Sequence, residues 1–229
     1  REDFIQELQN QISGEVRFDD ASRALYATDA SNYRQIPIGI VRPKNNQDVK
    51  KALEICRKYG SPVLSRGAGT SLAGQGCNVA VIFDFQKYMN RILEINPDKK
   101  TARVEPGVIL DDLKAALKPY GLTFGPDPAT HSRCTLGGMI GNNSCGVHSV
   151  IAGKTSENVH SLKILTYEGL EISVGKTSDQ EYEKNIRLGG RPAEIYKALK
   201  NLAEKYADLI RSRYPKIPRR VSGYNLDEL

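Results

Sequence analysis

One loop constrains this chain more than anything else in it: Ser65-Arg66-Gly67-Ala68-Gly69-Thr70-Ser71-Leu72-Ala73-Gly74-Gln75, directly after the apolar run Pro62-Val63-Leu64. The run reads as a buried strand. Glycines in the loop let the backbone take positive φ and let a ligand come close. Successive N–H groups there can form an anion-binding nest, to which Ser65, Thr70 and Ser71 add hydroxyls. The expected ligand is a diphosphate. Two common nucleotide loops are excluded. No Gly-Lys-Ser/Thr ends the stretch, as a P-loop requires. A dinucleotide fingerprint would sit after the first strand and open a helix, whereas here a second apolar run, 79–83, follows.

The surrounding pattern is mixed. Phe4, Ile5, Leu8 and Ile12 have helical spacing, and a polar stretch through Tyr26, Asp29 and Tyr33 follows. Residues 37–41 read as a strand. A helix capped by Asn46 carries Val49, Ala52, Leu53, Cys56 and Tyr59 and ends at Gly60. Residues 91–96 and 101–105 read as a hairpin, and a helix with Ile109, Leu110, Leu113, Ala116, Leu117 and Tyr120 stops at Gly121. Residues 159–166 and 170–174 predict another hairpin. The last helix is expected to start at Pro192, with Ile195, Leu199, Leu202, Tyr206 and Leu209 as one apolar stripe. A divide near residue 97 is expected.

The chain of 229 residues is 39% hydrophobic and 26% charged. That balance fits a globular protein. No run approaches the roughly 18 apolar residues of a membrane span. The net charge of +6 raises nucleic acid as a partner, but the basic residues are scattered except for Arg211, Arg213, Lys216, Arg219 and Arg220. Cys56, Cys77, Cys134 and Cys145 form no C-x-x-C pair, so the expectation is reduced thiols in a cytoplasmic protein, with no metal site. The chain lacks an initial Met and stops abruptly at Leu229, which reads as a piece of a longer protein.

Three further stretches carry the chemistry. Glu105-Pro106-Gly107 ends a strand in a tight turn. Pro126-Asp127-Pro128-Ala129-Thr130-His131 is stiffened by its prolines. Residues 134–146, Cys-Thr-Leu-Gly-Gly-Met-Ile-Gly-Asn-Asn-Ser-Cys-Gly, are too rich in Gly and Asn for an ordinary structural helix. Together with Gly153-Lys154-Thr155 and Asn158-Val159, these motifs, in this order, resemble the FAD-binding domain of FAD-linked oxidases of the vanillyl-alcohol oxidase type. The branch is that of D-lactate, glycolate and D-2-hydroxyglutarate dehydrogenases. The match covers roughly residues 35–175. The forms of 127–134 and 141–146 are most similar to long members with iron–sulfur domains further along.

The resemblance implies an α+β fold of two subdomains with non-covalent FAD between them. The implied organisation is a helical extension over 1–34, subdomains over 35–97 and 98–213, and from 214 a linker to a C-terminal cap domain. Arg66, Gly67, Ala68, Gly69, Thr70 and Ser71 would wrap the diphosphate, with Gly74 and Gln75 towards the flavin. Pro106 and Gly107 would lie near the adenine end. Pro126, Asp127, Thr135, Gly137 and Gly138 would follow the diphosphate, ribityl chain and ring. Asn142, Ser144 and Gly146 would approach the cofactor again, and a backbone group of Val159 would meet the adenine. The first loop has no histidine for covalent attachment. His131 and His148 are the nearest reactive candidates, but such histidines are more often hydrogen-bond partners. No catalytic residue is expected in the chain. Substrate, a D-2-hydroxy acid, would be bound by the cap domain, and electrons would pass to an acceptor such as an iron–sulfur domain. The alternatives are a reductase of the cell-wall enolpyruvyl type and a non-catalytic basic module for phosphate or nucleic acid.

Overall fold

The apolar spacing of the first eighty residues builds one sheet and the helices that cover it. The structure, a computed structural model, describes residues 2–217, 220 and 224–228. Helix α1 (Glu2–Gln11) turns Phe4 and Leu8 inward, and β1 (Glu15–Arg17) follows. Helix α2 (Asp20–Leu25) leads to β2 (Gly39–Arg42), α3 (Asn46–Lys58), β3 (Val63–Arg66) and β4 (Val81–Asp84). The sheet order is β1-β2-β4-β3, with β2, β4 and β3 parallel and β1 antiparallel at the edge. β4 is central and buried along its length, which is why it reads as the unbroken run Val81-Ile82-Phe83. Phe4, Leu8, Ile12, Val41, Ala52, Leu53, Ile55, Cys56, Val81 and Phe83 form one core. A large apolar side chain contributes roughly 1.5–3 kcal/mol by leaving water. Residues 1–34, set apart as an extension in the sequence reading, therefore supply part of this core and an edge strand. The cap of α3 is Asn45, one residue before the expected Asn46, and its side chain accepts from Asp48 N.

A second core gathers around β5 (Ile92–Asn96), β6 (Thr101–Val104), α4 (Leu110–Leu117) and α5 (Leu136–Asn142). Val108, Leu110, Leu113, Leu117, Cys134, Leu136 and Met139 are buried there, with Ile92, Ile95 and Val104 packed on them. The expected divide at residue 97 falls within the turn of the β5–β6 hairpin; by packing, the two cores part between Phe85 and Ile92. The short helix α6 (Ser149–Ala152) precedes the hairpin of β7 (Ser161–Leu165) and β8 (Glu171–Gly175). That hairpin returns to the first core: Leu165 packs on it and Tyr167 Oη donates to Ser61 O at 3.1 Å.

The C-terminal part departs from expectation in two ways. Helix α7 (Asp179–Leu188) was not anticipated, although Ser178 and Glu181 form a complete capping box. Helix α8 (Gly190–Arg213) starts two residues before Pro192, and its stripe is only half covered, with Leu199, Leu202 and Leu209 exposed. The basic cluster does not form one free face among the described residues. Arg211 pairs with Asp208 and Arg220 with Asp227, while Arg219 lies outside the described residues.

Candidate functional site

The glycine loop leaves the carboxyl end of β3, the side of an open α/β sheet where ligands collect. It crosses to β4 without a helix. Among the described residues, the backbone amides of 67–72 donate to no protein acceptor. They are a run of free N–H groups, the property an anion nest requires. Gly69 adopts a φ of 67°. That left-handed conformation favours glycine. Arg66, Ser71 and Gln75 bond to groups of the protein, while Leu72 is exposed. Gln75 Oε1 accepts from Ser71 Oγ and, at 3.3 Å, from Ala73 N. The Arg66 guanidinium faces inward: Nη1 donates to Gly76 O at 2.6 Å and Tyr26 O at 3.3 Å, and Nη2 to Thr28 O at 2.9 Å.

Three motifs meet at one point. A Cβ on Gly67 would stand 2.1 Å from Thr135 Oγ1, so the loop rests against the start of α5. Thr135 is the N-cap of that helix and accepts from Gly138 N at 3.2 Å. Leu136 N donates to Val108 O at 2.8 Å, Gly137 N to Pro106 O at 2.9 Å, and Met139 N to Thr135 O at 2.9 Å. The first-turn amides of α5 are thus taken by protein, and Gly137 is small because Pro106 lies against it. Pro106-Gly107 is held in turn by Gly107 N donating to Met89 O at 2.8 Å. Glu105 is buried beside it. Arg91 donates to its carboxylate through Nη2 at 2.8 Å and through its backbone N at 2.9 Å. Burial penalises the Glu105 charge, but these bonds outweigh it and hold the carboxyl below the usual carboxylate range.

A second group assembles at the far end of α5. Asp127, with buried Pro126 before it, accepts from His148 N at 2.9 Å through Oδ1 and from His148 Nδ1 through Oδ2. The His148 hydrogen bond is the main cause of a lowered Asp127 pKa. Gly146 has no room for a side chain: a Cβ would stand 1.9 Å from Asp127 O. His131 Nδ1 lies 2.8 Å from both carboxylate oxygens of Asp111, so both candidate histidines are held by aspartates. Ser144 O accepts from Thr155 N at 3.0 Å and Thr155 Oγ1 at 2.7 Å. Val159 N donates to Ser156 O at 3.3 Å. Asn142 turns its amide back to Gly138 O at 3.0 Å.

The structure therefore brings Gly67, Thr135, Gly137 and Pro106 together, and separately Asp127 and Gly146; Asn142 and Gln75 are engaged within their own elements. Sequence reasoning did not carry Asn143 into the expected cofactor set, although it lies in the 134–146 stretch, and missed Ser156. Ser156 N donates to Asn143 Oδ1 at 2.9 Å, while Asn143 Nδ2 and Ser156 Oγ are buried without a partner. It also missed the strap of Tyr26, Thr28 and Asp29 around the loop. The residues fit a ligand rich in acceptor oxygens, because the unpartnered groups are amide, carboxamide and hydroxyl donors. Among the described residues no group of His, Cys, Asp and Glu could hold a metal ion, and no helix is long and apolar enough to cross a membrane. Burial pushes the Cys56 thiol up to about 12. It is a core side chain without nucleophilic character.

Comparison with known proteins fits this geometry. Residues 37–175 match the family described as FAD binding domain. The D-2-hydroxyglutarate dehydrogenase of Pseudomonas putida is 34% identical over 99% of this chain, and that of Escherichia coli 35% over 97%. The glycolate oxidase subunit GlcD of Bacillus subtilis is 35% identical over 75%. The chain spans 23%, 22% and 37% of those three proteins. Among solved structures, alkyldihydroxyacetonephosphate synthase superposes with a TM-score of 0.68 at 22% identity, covering 80% of this chain and 40% of that one. The 6-hydroxy-D-nicotine oxidase of Arthrobacter nicotinovorans does so with 0.64 at 26%, covering 75% and 37%. The former shows a shared α+β fold alone.

Proposed function

The chain belongs to the FAD binding domain family, its cofactor is FAD, and from that premise we propose that it is the cofactor-holding part of a dehydrogenase of D-2-hydroxy acids, of the D-2-hydroxyglutarate or D-lactate class. One observation carries this reading. The likeness to D-2-hydroxyglutarate dehydrogenases runs over nearly the whole chain, through the segments before residue 37 and after residue 175 that the family does not match.

Bound non-covalently, the flavin supplies a two-electron acceptor; the hydride chemistry is the cofactor's. The protein's own groups bind and orient. The free amides of 67–72 are suited to the diphosphate oxygens. Thr135, Gly137 and Pro106 set the wall behind them, and Asp127 ties the 126–128 segment to the 146–148 loop. The acid–base group and the substrate-binding cations are assigned to a cap domain in a full-length protein; in this chain His131 and His148 are each held at Nδ1 by an aspartate. The acceptor of the electrons is assigned to an iron–sulfur domain or partner subunit, and the location to the cytoplasm.

The test uses the full-length protein loaded with FAD under anaerobic conditions. D-2-hydroxyglutarate, D-lactate, glycolate and their L-counterparts are added in turn, and the flavin band is followed. Bleaching by one D-acid is the expected result. A flavin reduced by a nicotinamide cofactor and by none of these acids would favour the enolpyruvyl-type reductase instead.

A further inference from the structure

Residues 26–33 precede the stretch matched by the FAD binding domain family, yet they grip the glycine loop at several points. Arg66 donates to Tyr26 O and Thr28 O, and its guanidinium carbon lies 5.2 Å from the centre of the Tyr26 ring. Ala30 N donates to Gly69 O at 3.0 Å. Asp29 Oδ2 accepts from Gly76 N and Oδ1 from Ser31 N, each at 2.9 Å. Burial opposes the Asp29 charge, but the Ser31 and Gly76 hydrogen bonds and the field of Arg66 outweigh it and hold the carboxyl below its ordinary value. The Tyr33 ring lies against Gly74, where a Cβ would stand 2.8 Å from Cδ2. Gly69, at the turn of the loop, sits on the guanidinium itself: a Cβ would meet Arg66 Nη2 at 2.5 Å.

These bonds leave the loop tied to the strap from behind and its amides unpaired. We propose that Arg66 is a positioning residue, bracketing the glycine loop to a strap formed by residues 26–33, so that the free amides of 67–72, and not the Arg66 charge, receive the diphosphate. The proposal rests on the FAD reading and deepens it. It accounts for the choice of arginine, because only a planar fork reaches three carbonyls in different directions. A lysine would carry the same charge without that reach.

The test compares Arg66→Met, Arg66→Lys and Asp29→Ala with the unaltered chain. Two quantities are read: FAD affinity across a range of salt, and amide hydrogen exchange over residues 67–76 without FAD. Loss of even one charge-assisted bond predicts FAD binding weakened about tenfold or more in all three variants. The slope of affinity against salt should stay unchanged, since no phosphate ion pair is removed. Exchange in the loop should quicken in each variant while exchange in β4 does not. Recovery of binding in Arg66→Lys but not Arg66→Met would overturn the proposal, because charge would then be what matters. So would unchanged loop exchange in both Arg66→Met and Asp29→Ala. Failure of the unaltered chain to bind FAD would instead count against the cofactor reading, and the exchange measurement would still decide the strap.

Discussion

Gly67 and Thr135, far apart in the chain, are in contact so close that a Cβ on the first would stand 2.1 Å from Oγ1 of the second. Thr135 cannot simply turn away, because that oxygen caps α5 by accepting from Gly138 N. Gly67→Ala must therefore either displace the loop or break the cap. A lost cap costs about 1 kcal/mol, which in a chain of this size lowers the melting temperature by roughly 2–4 °C. FAD affinity should fall about tenfold or more as the first free amide of the nest is displaced. Flavin fluorescence titration and a melting curve read both, and an alanine variant that melts and binds as the original does would show that the contact is not a constraint.

Much of this arrangement was legible in the residues, but unevenly. The loop, the strand before it and the helix ending at Gly60 were visible because glycine placement and apolar period report local backbone directly. The contact of Gly67 with Thr135 is set by tertiary packing, and no local pattern encodes it; only the likeness to a family suggested that both approach one ligand. The partners of Arg66 were hidden for a similar reason. An arginine beside a phosphate nest looks like a phosphate ligand until its carbonyl partners on the 26–28 strap are seen. That Asn143 Nδ2 and Ser156 Oγ are buried without a partner was hidden, because a buried orphan is a property of the folded state. Helix α7 was legible and overlooked: Ser178-Asp179-Gln180-Glu181 is a capping box, but no strong apolar stripe follows it.

The link between Asp127 and His148 gives an ordering of two variants. Asp127→Ala removes both acceptors, whereas His148→Ala removes only the ring bond and leaves the backbone N–H of residue 148 on Asp127 Oδ1. Asp127→Ala should therefore release FAD faster than His148→Ala, by stopped-flow displacement. Equal rates would mean that the backbone bond contributes nothing.

Glu15 makes a prediction about acid stability. Its carboxylate accepts from Lys87, from Tyr88 and, at 2.8 Å, from Arg42 Nη1. The Lys87 bond first and then the Tyr88 bond hold the carboxyl at about 2, against the opposing effect of burial. A carboxyl whose folded pKa is depressed stabilises the fold above its unfolded value and loses that contribution as pH falls towards the folded value. The window here runs from the ordinary value of 4.5 down to about 2. Urea denaturation of the original and of Glu15→Gln should give a stability difference that is constant above pH ~5 and shrinks steadily below pH ~4.5. A difference independent of pH across that range would mean that the charge on Glu15 is not what the Lys87–Tyr88–Arg42 group recognises.

The capping box of α7 offers the sharpest local test, because α7 has no buried residue to hold it otherwise. Ser178 Oγ accepts from Glu181 N at 3.3 Å, and Glu181 Oε2 accepts from Ser178 N at 2.8 Å. Ser178→Ala deletes the first bond and also the 2.8 Å bond from Ser178 Oγ to Glu181 Oε2, and leaves Glu181 able to accept from the backbone N of residue 178, so the helix should fray at its start without losing its place. Amide exchange in the first turn should speed up about fivefold, the ratio that corresponds to a typical lost cap. The melting temperature should barely move, since neither core cluster includes α7. At low pH the backbone and side-chain hydrogen bonds of Ser178, which hold the Glu181 carboxyl below its usual range, give way once that carboxyl takes a proton. Even the unaltered helix should then fray, and the gap between it and Ser178→Ala should narrow. First-turn exchange that is the same in both proteins at neutral pH would show that packing against α8, and not the box, fixes where α7 begins.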